Sequence, residues 1–553
     1  MSGWLTKKRL FAFHGWLGLT LGLPLFIICL AGACAVMAPE LDRVLHPEMR
    51  VASPADQAAK PLPWGALLEK VEAACPEGEV GLMDAADERT EAWTAVVNYS
   101  PRDSRLVLFD PYTGKVKGQR THFNARSFFR IFHKQFYIVD GKYWPHGRLI
   151  VCSFSIVLLL AAVTGLMFYA GWWKHLYRMR VGKGLRIFLS DLHRFVGVWT
   201  FLLAMLFAVT GLWYLTERVM EDMGVAEHEP SPKVSESVRA ARAPNVKPLS
   251  LDELIARANE AVPGMRIKTI LFGNQAGGVV GLWGEGEGLV ENRSSKVYLD
   301  PHTGEVVALK TADGMTFGAR LEGLVNPLHF GRFGGLFTKI IWAVAGFALA
   351  VGILAGAYIR WMRTRRMEGG ASRSATAWSR VSLVLNLMIL GLAGVSTVGF
   401  IRNQIEGPMN PDSRVRIGES QAGPWQVEAF RLQRKGKPDA GMAFHFVSEG
   451  EPNFRAAYAW SGSEAKPEGL KPLKGSRNVL FASGPKVGGP IHLGIEAWDG
   501  TLHVTSFPAG GWEIGAAVAP PAALGVSRVL WLVVGAFFTA VLAPAALWLI
   551  RLR

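Results

Sequence analysis

The chain has 553 residues, 50% of them hydrophobic, and a formal net charge of +15 at pH 7. This apolar content excludes an ordinary soluble enzyme of this length and predicts a protein that crosses a membrane several times. The charge does not indicate nucleic-acid binding, because the basic residues lie in short segments beside apolar stretches, as at Lys7–Arg9 and Lys174–Arg186. Such segments mark the cytoplasmic side of a membrane protein.

Six apolar stretches reach the roughly 20 residues that a helix needs to cross a bilayer. They cover residues 10–38, 148–171, 187–216, 336–362, 378–400 and 527–550. Because basic segments follow every second stretch, we expect both termini in the cytoplasm. The first stretch also has features of a cleaved signal peptide or a lipoprotein signal near Ala33–Ala35. A copy of its sequence around His193 lies inside the chain, however, where no signal peptide can occur.

Three polar regions between these stretches are expected outside the membrane. Residues 39–147 and 217–335 each contain an amphipathic helix followed by alternating strands, although the charged start of the second region predicts a linker. Both regions end a strand in an Asp-Pro-aromatic-Thr-Gly turn, at Asp110–Gly114 and Asp300–Gly304. Two such turns at corresponding places indicate a duplicated unit of two helices and one outer domain. Residues 401–526 match neither copy, and their strand patterns predict a β-rich domain.

Four histidines lie at the ends of predicted spans within the duplicated part. His14 and His193 stand at the cytoplasmic ends of the first and third spans, and a glycine follows each of them 18 positions later. His133 and His329 stand at the outer ends, just before the second and fourth spans. An ionisable side chain is costly in a membrane, although a single histidine at an interface is most often a capping or snorkelling group. His146 lies closer to the second span and is an alternative to His133.

Two pairs of histidines near opposite faces predict two haem sites. Ligation of one haem by two imidazoles needs neutral histidines on facing helices, with small residues beside the porphyrin and aromatic residues at its edge. The first and third spans contain residues of both kinds: Gly15, Gly18, Gly197 and Gly211, and Phe13, Trp16, Phe195, Trp199 and Trp213. The sequence contains no Cys-x-x-Cys-His motif, which argues against covalent c-type attachment.

Three sequence blocks carry a resemblance to a known family. They are the His-x-x-Leu-Gly-Leu start at His14–Leu19, the Leu192–His193 pair at the third span, and the block Pro327–Gly335 before the fourth. The chain resembles the PepSY-associated transmembrane family, which includes iron-regulated inner-membrane proteins and haem-containing ferric-siderophore reductases. The resemblance covers roughly residues 7–366 and leaves the last two spans and the third outer domain unmatched. Phe132 stands where the family usually has leucine.

This resemblance implies a fold, a cofactor and an activity. The fold is a polytopic α-helical membrane protein of about six transmembrane helices from a duplicated helix-hairpin unit, with two α+β PepSY-like periplasmic domains and a third β-rich periplasmic domain. The cofactors are two b-type haems, and their iron ligands are His14, His193, His133 and His329. The expected activity is reduction of a periplasmic ferric siderophore or other ferric chelate at the bacterial inner membrane.

The electron donor is expected to be a quinol or a cytoplasmic reductase, because no nucleotide-binding motif stands in a usable place. The glycine-rich run Gly284–Gly288 precedes no helix. Two other functions stay open. One is a non-enzymatic, membrane-anchored PepSY module that binds or regulates an envelope peptidase or another partner. The other is a component of an iron-chelate transporter, which would call for charged residues in mid-span, and the sequence has almost none.

The remaining histidines are mostly expected at the surface. His445, His492 and His503 in the third outer domain could gather into a metal or chelate site, but histidines on strands are more often surface residues. The others without a matching partner in the duplicated part are His122, His146, His175, His228 and His302.

Overall fold

The structure is a computed structural model that describes most of the chain. The described residues are 6–52, 59–138, 146–169, 171–175, 177–225, 232–273, 278–285, 295–311, 314, 317–367, 373–407, 412–434, 437–448, 450–475, 477–482, 489–508, 517–518, 528, 530–532, 534–537 and 539. Their α-helices are α1 (Lys7–Leu45), α2 (Trp64–Ala74), α3 (Ala125–Gln135), α4 (His146–Phe168), α5 (Leu185–Trp199), α6 (Phe201–Asp222), α7 (Glu236–Ala240), α8 (Leu251–Ala261), α9 (Phe317–Phe330), α10 (Gly335–Met367) and α11 (Arg373–Glu406).

Five helical segments in the described part of the chain are long and apolar enough to cross a membrane. They are Lys7–Leu45, Gly147–Phe168, Phe201–Asp222, Arg332–Arg363 and Val384–Ile405. The chain is therefore a multi-pass membrane protein. Most of the predicted sixth span, residues 527–550, lies outside the described residues, and those of its residues that are described are helical.

The third predicted span, residues 187–216, is two helices rather than one. α5 and α6 meet at Thr200, whose hydroxyl donates to the carbonyl oxygen of Val196 at 2.7 Å. The same back-bond occurs at Thr164 and Thr210 within unbroken helices, so it accompanies the break at Thr200 and does not by itself cause it. α6 then continues to Asp222, so the start of the predicted linker is helical, and Arg218 forms ion pairs with Glu221 and Asp222 along this last part of the helix.

α1 is the central helix of the membrane part and contacts α3, α4, α10 and α11. Small residues of α1 are fully buried where its neighbours approach, as at Ala31 and Ala38. Close approach at small residues is the usual way that helices pack in a membrane. α4 packs on α6, and α10 packs on α5. Phe537, from the predicted sixth span, packs its ring against Phe128 and Phe132 of α3.

The two repeats outside the membrane share one sheet. The strands of this part of the chain are β1 (Glu79–Asp84), β2 (Trp93–Ser100), β3 (Asp103–Phe109), β4 (Val116–Arg120), β5 (Asn245–Val246), β6 (Arg266–Phe272), β7 (Val280–Glu285), β8 (Ser295–Leu299) and β9 (Val306–Lys310). All except β5 form an eight-stranded sheet in the order β4-β3-β2-β1-β6-β7-β8-β9. Each repeat thus supplies four antiparallel strands.

The sequence predicts two separate α+β domains, and the structure instead joins their strands edge to edge. β1 pairs with β6, with Met83 opposite Ile270 and Asp84 opposite Thr269. The Thr269 hydroxyl donates to Asp84 Oδ1 at 2.6 Å across this junction. Pairing removes two exposed strand edges at once, which is the physical reason for the joined sheet. α2 and α8 contribute Leu67 and other buried side chains to its single core.

The repeated turns have the same geometry. In each turn the glycine has a φ of +72°, at Gly114 and at Gly304. The glycine amide donates to the carbonyl oxygen of the turn aspartate, Asp110 at 2.7 Å or Asp300 at 2.9 Å. Only glycine adopts this backbone conformation without strain, so the turn sequence and the turn shape are duplicated together.

The C-terminal β region follows α11. Its strands are β10 (Ser413–Ala422), β11 (Trp425–Arg434), β12 (Lys437–Phe446), β13 (Glu451–Pro452), β14 (Ala456–Ser461), β15 (Lys474–Gly475), β16 (Val479–Ala482), β17 (Ile491–Glu496), β18 (Leu502–Phe507) and β19 (Ala517–Val518). They form a six-stranded sheet, β15-β16-β12-β11-β10-β19, and a three-stranded sheet, β14-β17-β18, while β13 pairs with β5 of the second repeat. The pairing of β5 with β13 fixes this region to the linker between α6 and α8.

Candidate functional site

The structure brings His14 and His193 together. His14 lies in the first turns of α1 and His193 lies in α5, and their ring centroids are 5.9 Å apart with an interplanar angle of 58°. The ring of Phe168, at the end of α4, packs edge-on against His14 with a centroid separation of 5.2 Å. We call these two histidines the first pair. They come from different repeats.

His133 and His329 form a second pair, with ring centroids 6.1 Å apart and an interplanar angle of 38°. Both lie on short helices, α3 and α9, that precede α4 and α10, so neither belongs to a spanning helix. The rings of Phe207 and Tyr214 surround His329. Of the two residues that the sequence offered for this place, His133 is the one beside His329; the side chain of His146 lies outside the described residues.

Each of the four imidazoles makes a hydrogen bond through Nδ1 to a neighbouring helix. The acceptors are the carbonyl oxygen of Gly352 for His193 (2.7 Å), the carbonyl oxygen of Ile28 for His133 (2.9 Å), the Thr164 hydroxyl for His14 (3.2 Å) and the Thr210 hydroxyl for His329 (2.8 Å). A carbonyl oxygen only accepts, so Nδ1 of His193 and His133 carries the hydrogen.

The two threonines fix the same tautomer. The hydroxyl of Thr164 donates to the carbonyl oxygen of Leu160 at 2.5 Å, and that of Thr210 donates to Leu206 at 2.7 Å. A hydroxyl has one hydrogen, so each threonine accepts the hydrogen bond from its histidine. All four imidazoles therefore keep the hydrogen on Nδ1 and the lone pair on Nε2, which is the state in which a histidine binds a metal through Nε2.

Glycines on neighbouring helices make room for three of these rings. A Cβ atom at Gly356 would lie 2.7 Å from Cε1 of His193, and one at Gly32 would lie 2.8 Å from Cε1 of His133. At Gly165 the corresponding distance to Cε1 of His14 is 3.2 Å. Gly211 has a different role, because its Cβ would meet Ser155 of α4 instead of His329. Each of the first three glycines thus sets how closely an imidazole seats against a helix.

The spacing within each pair suits one iron between the two rings. Two imidazoles that share one metal ion through metal–nitrogen bonds of about 2 Å would have ring centres no more than about 6 Å apart. The two pairs measure 5.9 and 6.1 Å. A cavity of about 370 Å³ adjoins the first pair and one of about 340 Å³ adjoins the second. Both volumes fall within the range of about 300–1,000 Å³ that is typical of cofactor sites.

The two cavities differ in charge. Three arginines line the cavity of the first pair: Arg194, Arg360 and Arg363. The cavity of the second pair is lined by three basic and two acidic residues: Arg130, Lys134, Arg148, Glu217 and Glu221. The two carboxylates of this second set form ion pairs with Arg148. The second cavity is consequently closer to neutral than the first.

The two pairs are separated along the membrane helices. On α1, His14 belongs to the first pair, and Ile28 and Gly32 contact the second. At 1.5 Å per residue the two sites are about 24 Å apart along this helix. This separation is comparable with the thickness of a hydrocarbon core, which is about 30 Å.

The sequence does not predict the partners of the histidines. Gly32 is singled out only by its spacing from His14, Gly211 by its spacing from His193 and as a small residue beside the porphyrin, and no role is predicted for Thr164 or Gly352. One signal was available, since a Thr-Gly dipeptide occurs both at Thr164–Gly165 and at Thr210–Gly211 within apolar stretches. A repeated polar residue beside a repeated glycine in a span is unusual enough to predict a buried contact.

The three histidines of the C-terminal β region do not gather into a site. His445 lies on β12 beside Arg414, while His492 and His503 lie on the strands of the smaller sheet. His492 is buried, bonds to the hydroxyl of Ser506 at 2.7 Å and stacks on Trp460, so the expectation of a surface position is wrong for it. Among the described residues no group of three or more His, Cys, Asp or Glu side chains could hold a metal ion.

The chain is similar to a known family and to a protein of Pseudomonas aeruginosa. Residues 11–363 match the family model described as "PepSY-associated TM region", and this segment contains both histidine pairs. A protein of Pseudomonas aeruginosa that is named as uncharacterised is 28% identical over 247 residues, which is 40% of this chain and 60% of that protein. The chain therefore matches less than two thirds of the length of this relative.

Proposed function

The chain belongs to the family of the PepSY-associated TM region, and on this premise we propose that it is an inner-membrane electron-transfer protein that reduces a periplasmic ferric chelate. In this proposal it holds two b-type haems and reduces a ferric siderophore or a similar ferric complex. The electrons come from a quinol or from a cytoplasmic reductase. The observation that carries the proposal is the meeting of four histidines in two pairs, each with the spacing that one iron requires.

The residues that would hold the two groups are the four paired histidines: His14 and His193 at one site, and His133 and His329 at the other. Haem iron changes between its ferric and ferrous states, and the bound groups would therefore supply one-electron transfer. The Nδ1 hydrogen bonds of the histidines orient the rings and keep the Nε2 lone pairs available. Since these acceptors sit on other helices, the imidazoles are fixed before any group binds.

The basic residues at the two cavities would hold the carboxylates of the groups. A guanidinium binds a carboxylate through two parallel hydrogen bonds, which favours arginine for this task. At the first pair Arg360 and Arg363 belong to α10, and the guanidinium of Arg363 also lies over the ring of Phe11 at 5.1 Å. At the second pair Arg130 is on α3, the helix that carries His133. The same short helix therefore brings an iron ligand and a cation.

The direction of transfer follows from the proposed topology. The sheet and the C-terminal β region are expected on the periplasmic side, where a ferric chelate arrives, and the second pair lies on the helices that lead from the sheet. One electron converts one ferric ion to the ferrous state, in which the hard oxygen ligands of a siderophore bind it less tightly. The separation of about 24 Å along α1 lets two sites divide a crossing of about 30 Å.

The first test is the haem content of the purified protein in detergent. We expect two haems per chain and the reduced-minus-oxidised spectrum of a six-coordinate b-type cytochrome. His14→Ala and His193→Ala should each remove one haem, and combining them should remove no more, because both belong to one site. His133→Ala or His329→Ala should remove the other haem. His122→Ala is the matched control, since His122 is an exposed histidine between β4 and α3 that bonds to Ser104.

The second test separates reduction from simple haem binding. Protein reduced with dithionite and freed of excess reductant should be reoxidised by a ferric hydroxamate chelate, with one ferrous ion formed per electron lost. A wild-type protein without a Soret band would refute the proposal and favour a membrane-anchored module that binds an envelope partner. A protein that binds two haems yet leaves ferric chelates unreduced would refute the reductase activity alone.

A further inference from the structure

Each histidine packs against a neighbouring helix at a dipeptide that is either Thr-Gly or Ala-Gly. The dipeptides at the four contacts are Thr164–Gly165, Thr210–Gly211, Ala31–Gly32 and Ala355–Gly356. In the first pair His14 bonds to the threonine hydroxyl of a Thr-Gly dipeptide, and His193 bonds to a backbone carbonyl oxygen near an Ala-Gly dipeptide. In the second pair His329 bonds to the threonine hydroxyl of the other Thr-Gly dipeptide, and His133 bonds to a backbone carbonyl oxygen near the other Ala-Gly dipeptide. Each pair therefore contains two unequal histidines.

The carbonyl acceptors occupy equivalent positions. Ile28 stands four residues before Gly32, and Gly352 stands four residues before Gly356. The residue at the same position before Gly165 is Ala161, whose backbone also interacts with His14. His14 therefore has two acceptors within reach, the Thr164 hydroxyl and a carbonyl oxygen at the position that His193 and His133 use. Without this hydroxyl, the Nδ1 hydrogen would turn to that carbonyl.

A carbonyl and a hydroxyl differ in what they do to the ring. A peptide carbonyl is the stronger acceptor, so it draws the Nδ1 hydrogen further and makes Nε2 more basic. A more basic axial nitrogen stabilises the ferric state relative to the ferrous state and lowers the reduction potential. A hydroxyl that already donates its own hydrogen to the helix draws the Nδ1 hydrogen less. The threonine therefore leaves its histidine the weaker electron donor of the pair.

We infer that Thr164 and Thr210 are positioning residues that raise the reduction potential at the first and the second pair, respectively, each through the hydrogen bond it accepts from one histidine. This inference rests on the proposed function. It adds that the reduction potential of each site is raised through only one of its two histidines. The threonine responsible lies in the first repeat for one site (Thr164) and in the second repeat for the other (Thr210).

The test is a spectroelectrochemical titration of the full-length protein in detergent. Thr164→Val keeps the shape of the side chain and removes the hydroxyl, so the potential at the first pair should fall while that at the second stays constant. Thr210→Val should do the reverse. The expected size is up to about tenfold in the equilibrium constant for reduction, which is 59 mV for a one-electron couple. Thr164→Ser, which keeps the hydroxyl, should restore the wild-type value.

Thr397→Val is the matched control. Thr397 is a buried threonine of α11 whose hydroxyl donates to the carbonyl oxygen of Ala393 at 2.7 Å, as Thr164 does within α4. The inference is overturned if Thr164→Val leaves both potentials unchanged, if Thr397→Val shifts them equally, or if Thr164→Ser behaves like Thr164→Val. Loss of the first haem in Thr164→Val would also overturn it, because the carbonyl of Ala161 would then not have replaced the hydroxyl as acceptor. A wild type without haem refutes the proposed function, whereas unchanged potentials in a haem-loaded variant refute only the inference.

Discussion

Alanine substitutions at Gly356, Gly32 and Gly165, the glycines against which histidine rings pack, should each affect the haem of one site only. In Gly356→Ala the new Cβ would lie 2.7 Å from Cε1 of His193. Carbon atoms in contact lie about 3.5 Å apart at the closest favourable distance, so the ring must retreat by about 0.8 Å. Metal–ligand distances tolerate deviations of only about 0.2 Å. We therefore expect Gly356→Ala to lose the haem of the first pair and to keep that of the second.

The distances in the structure predict a graded series. Gly32→Ala, with a distance of 2.8 Å to His133, should remove the haem of the second pair almost as completely. Gly165→Ala, at 3.2 Å from His14, requires a shift of only about 0.3 Å and should weaken haem binding without abolishing it. Gly394→Ala on α11 is the matched control, since its Cβ would meet no heavy atom within 4 Å.

The assay is the haem-to-protein ratio together with thermal unfolding in the same detergent. A glycine-to-alanine change inside a helix otherwise stabilises it by about 0.5–1 kcal/mol, so haem loss should come without general unfolding. Two results would refute the reasoning. One is a Gly356→Ala protein that keeps two haems with an unchanged spectrum, and the other is a Gly394→Ala protein that loses haem to the same extent.

Three further predictions follow from single side chains. Arg360→Gln should lower the reduction potential at the first pair in a redox titration, because a nearby cation favours the state with the extra electron; no shift, or an equal shift at the second pair, would contradict this. Burial and the charge of Arg414 lower the pKa of His445 from 6.5 to about 4. The unfolded chain therefore binds a proton between these pH values that the folded chain does not, and the free energy of unfolding should fall as the pH drops from 6.5 to 4, by on the order of 3 kcal/mol. His445→Gln should flatten this slope in thermal unfolding, and an unchanged slope would contradict the assignment. Asp191→Asn should lower the melting temperature by weakening the bidentate ion pair with Arg180 (2.9 and 3.0 Å), at a cost of about 1–3 kcal/mol, and an unchanged melting temperature would count against it.

The histidine pairs could be predicted because duplication copies a position and its chemistry together. His14 and His193 occupy equivalent sequence blocks, and the distribution of basic residues predicts the same face of the membrane for both. The sequence could not predict which helix accepts each Nδ1 hydrogen. That choice depends on how helices rotate and approach one another, and carbonyl groups such as that of Gly352 carry no sequence signal.

The sequence also could not predict which strands pair where the two repeats join. Alternating residues predict strands in both repeats, but every strand has two edges, and nothing in Met83 or Ile270 specifies the strand it pairs with. The break at Thr200 was also missed, since a threonine with a helical back-bond is common in membrane spans that stay straight. His492 was assigned to the surface because a histidine on a strand usually lies there, whereas here Ser506 and Trp460 make its burial favourable.

Each histidine pair contains one residue from each repeat, so both repeats are needed to form either site. A single repeat contains His14 and His133, which lie about 24 Å apart along the helices and cannot share an iron. Neither repeat alone could therefore hold a group between two histidines. The pairing of β1 with β6 joins the same two repeats outside the membrane, so the sheet and the two pairs constrain one interface. Separation of the repeats should accordingly disrupt both sites together, whereas a change such as Gly356→Ala should disrupt only one.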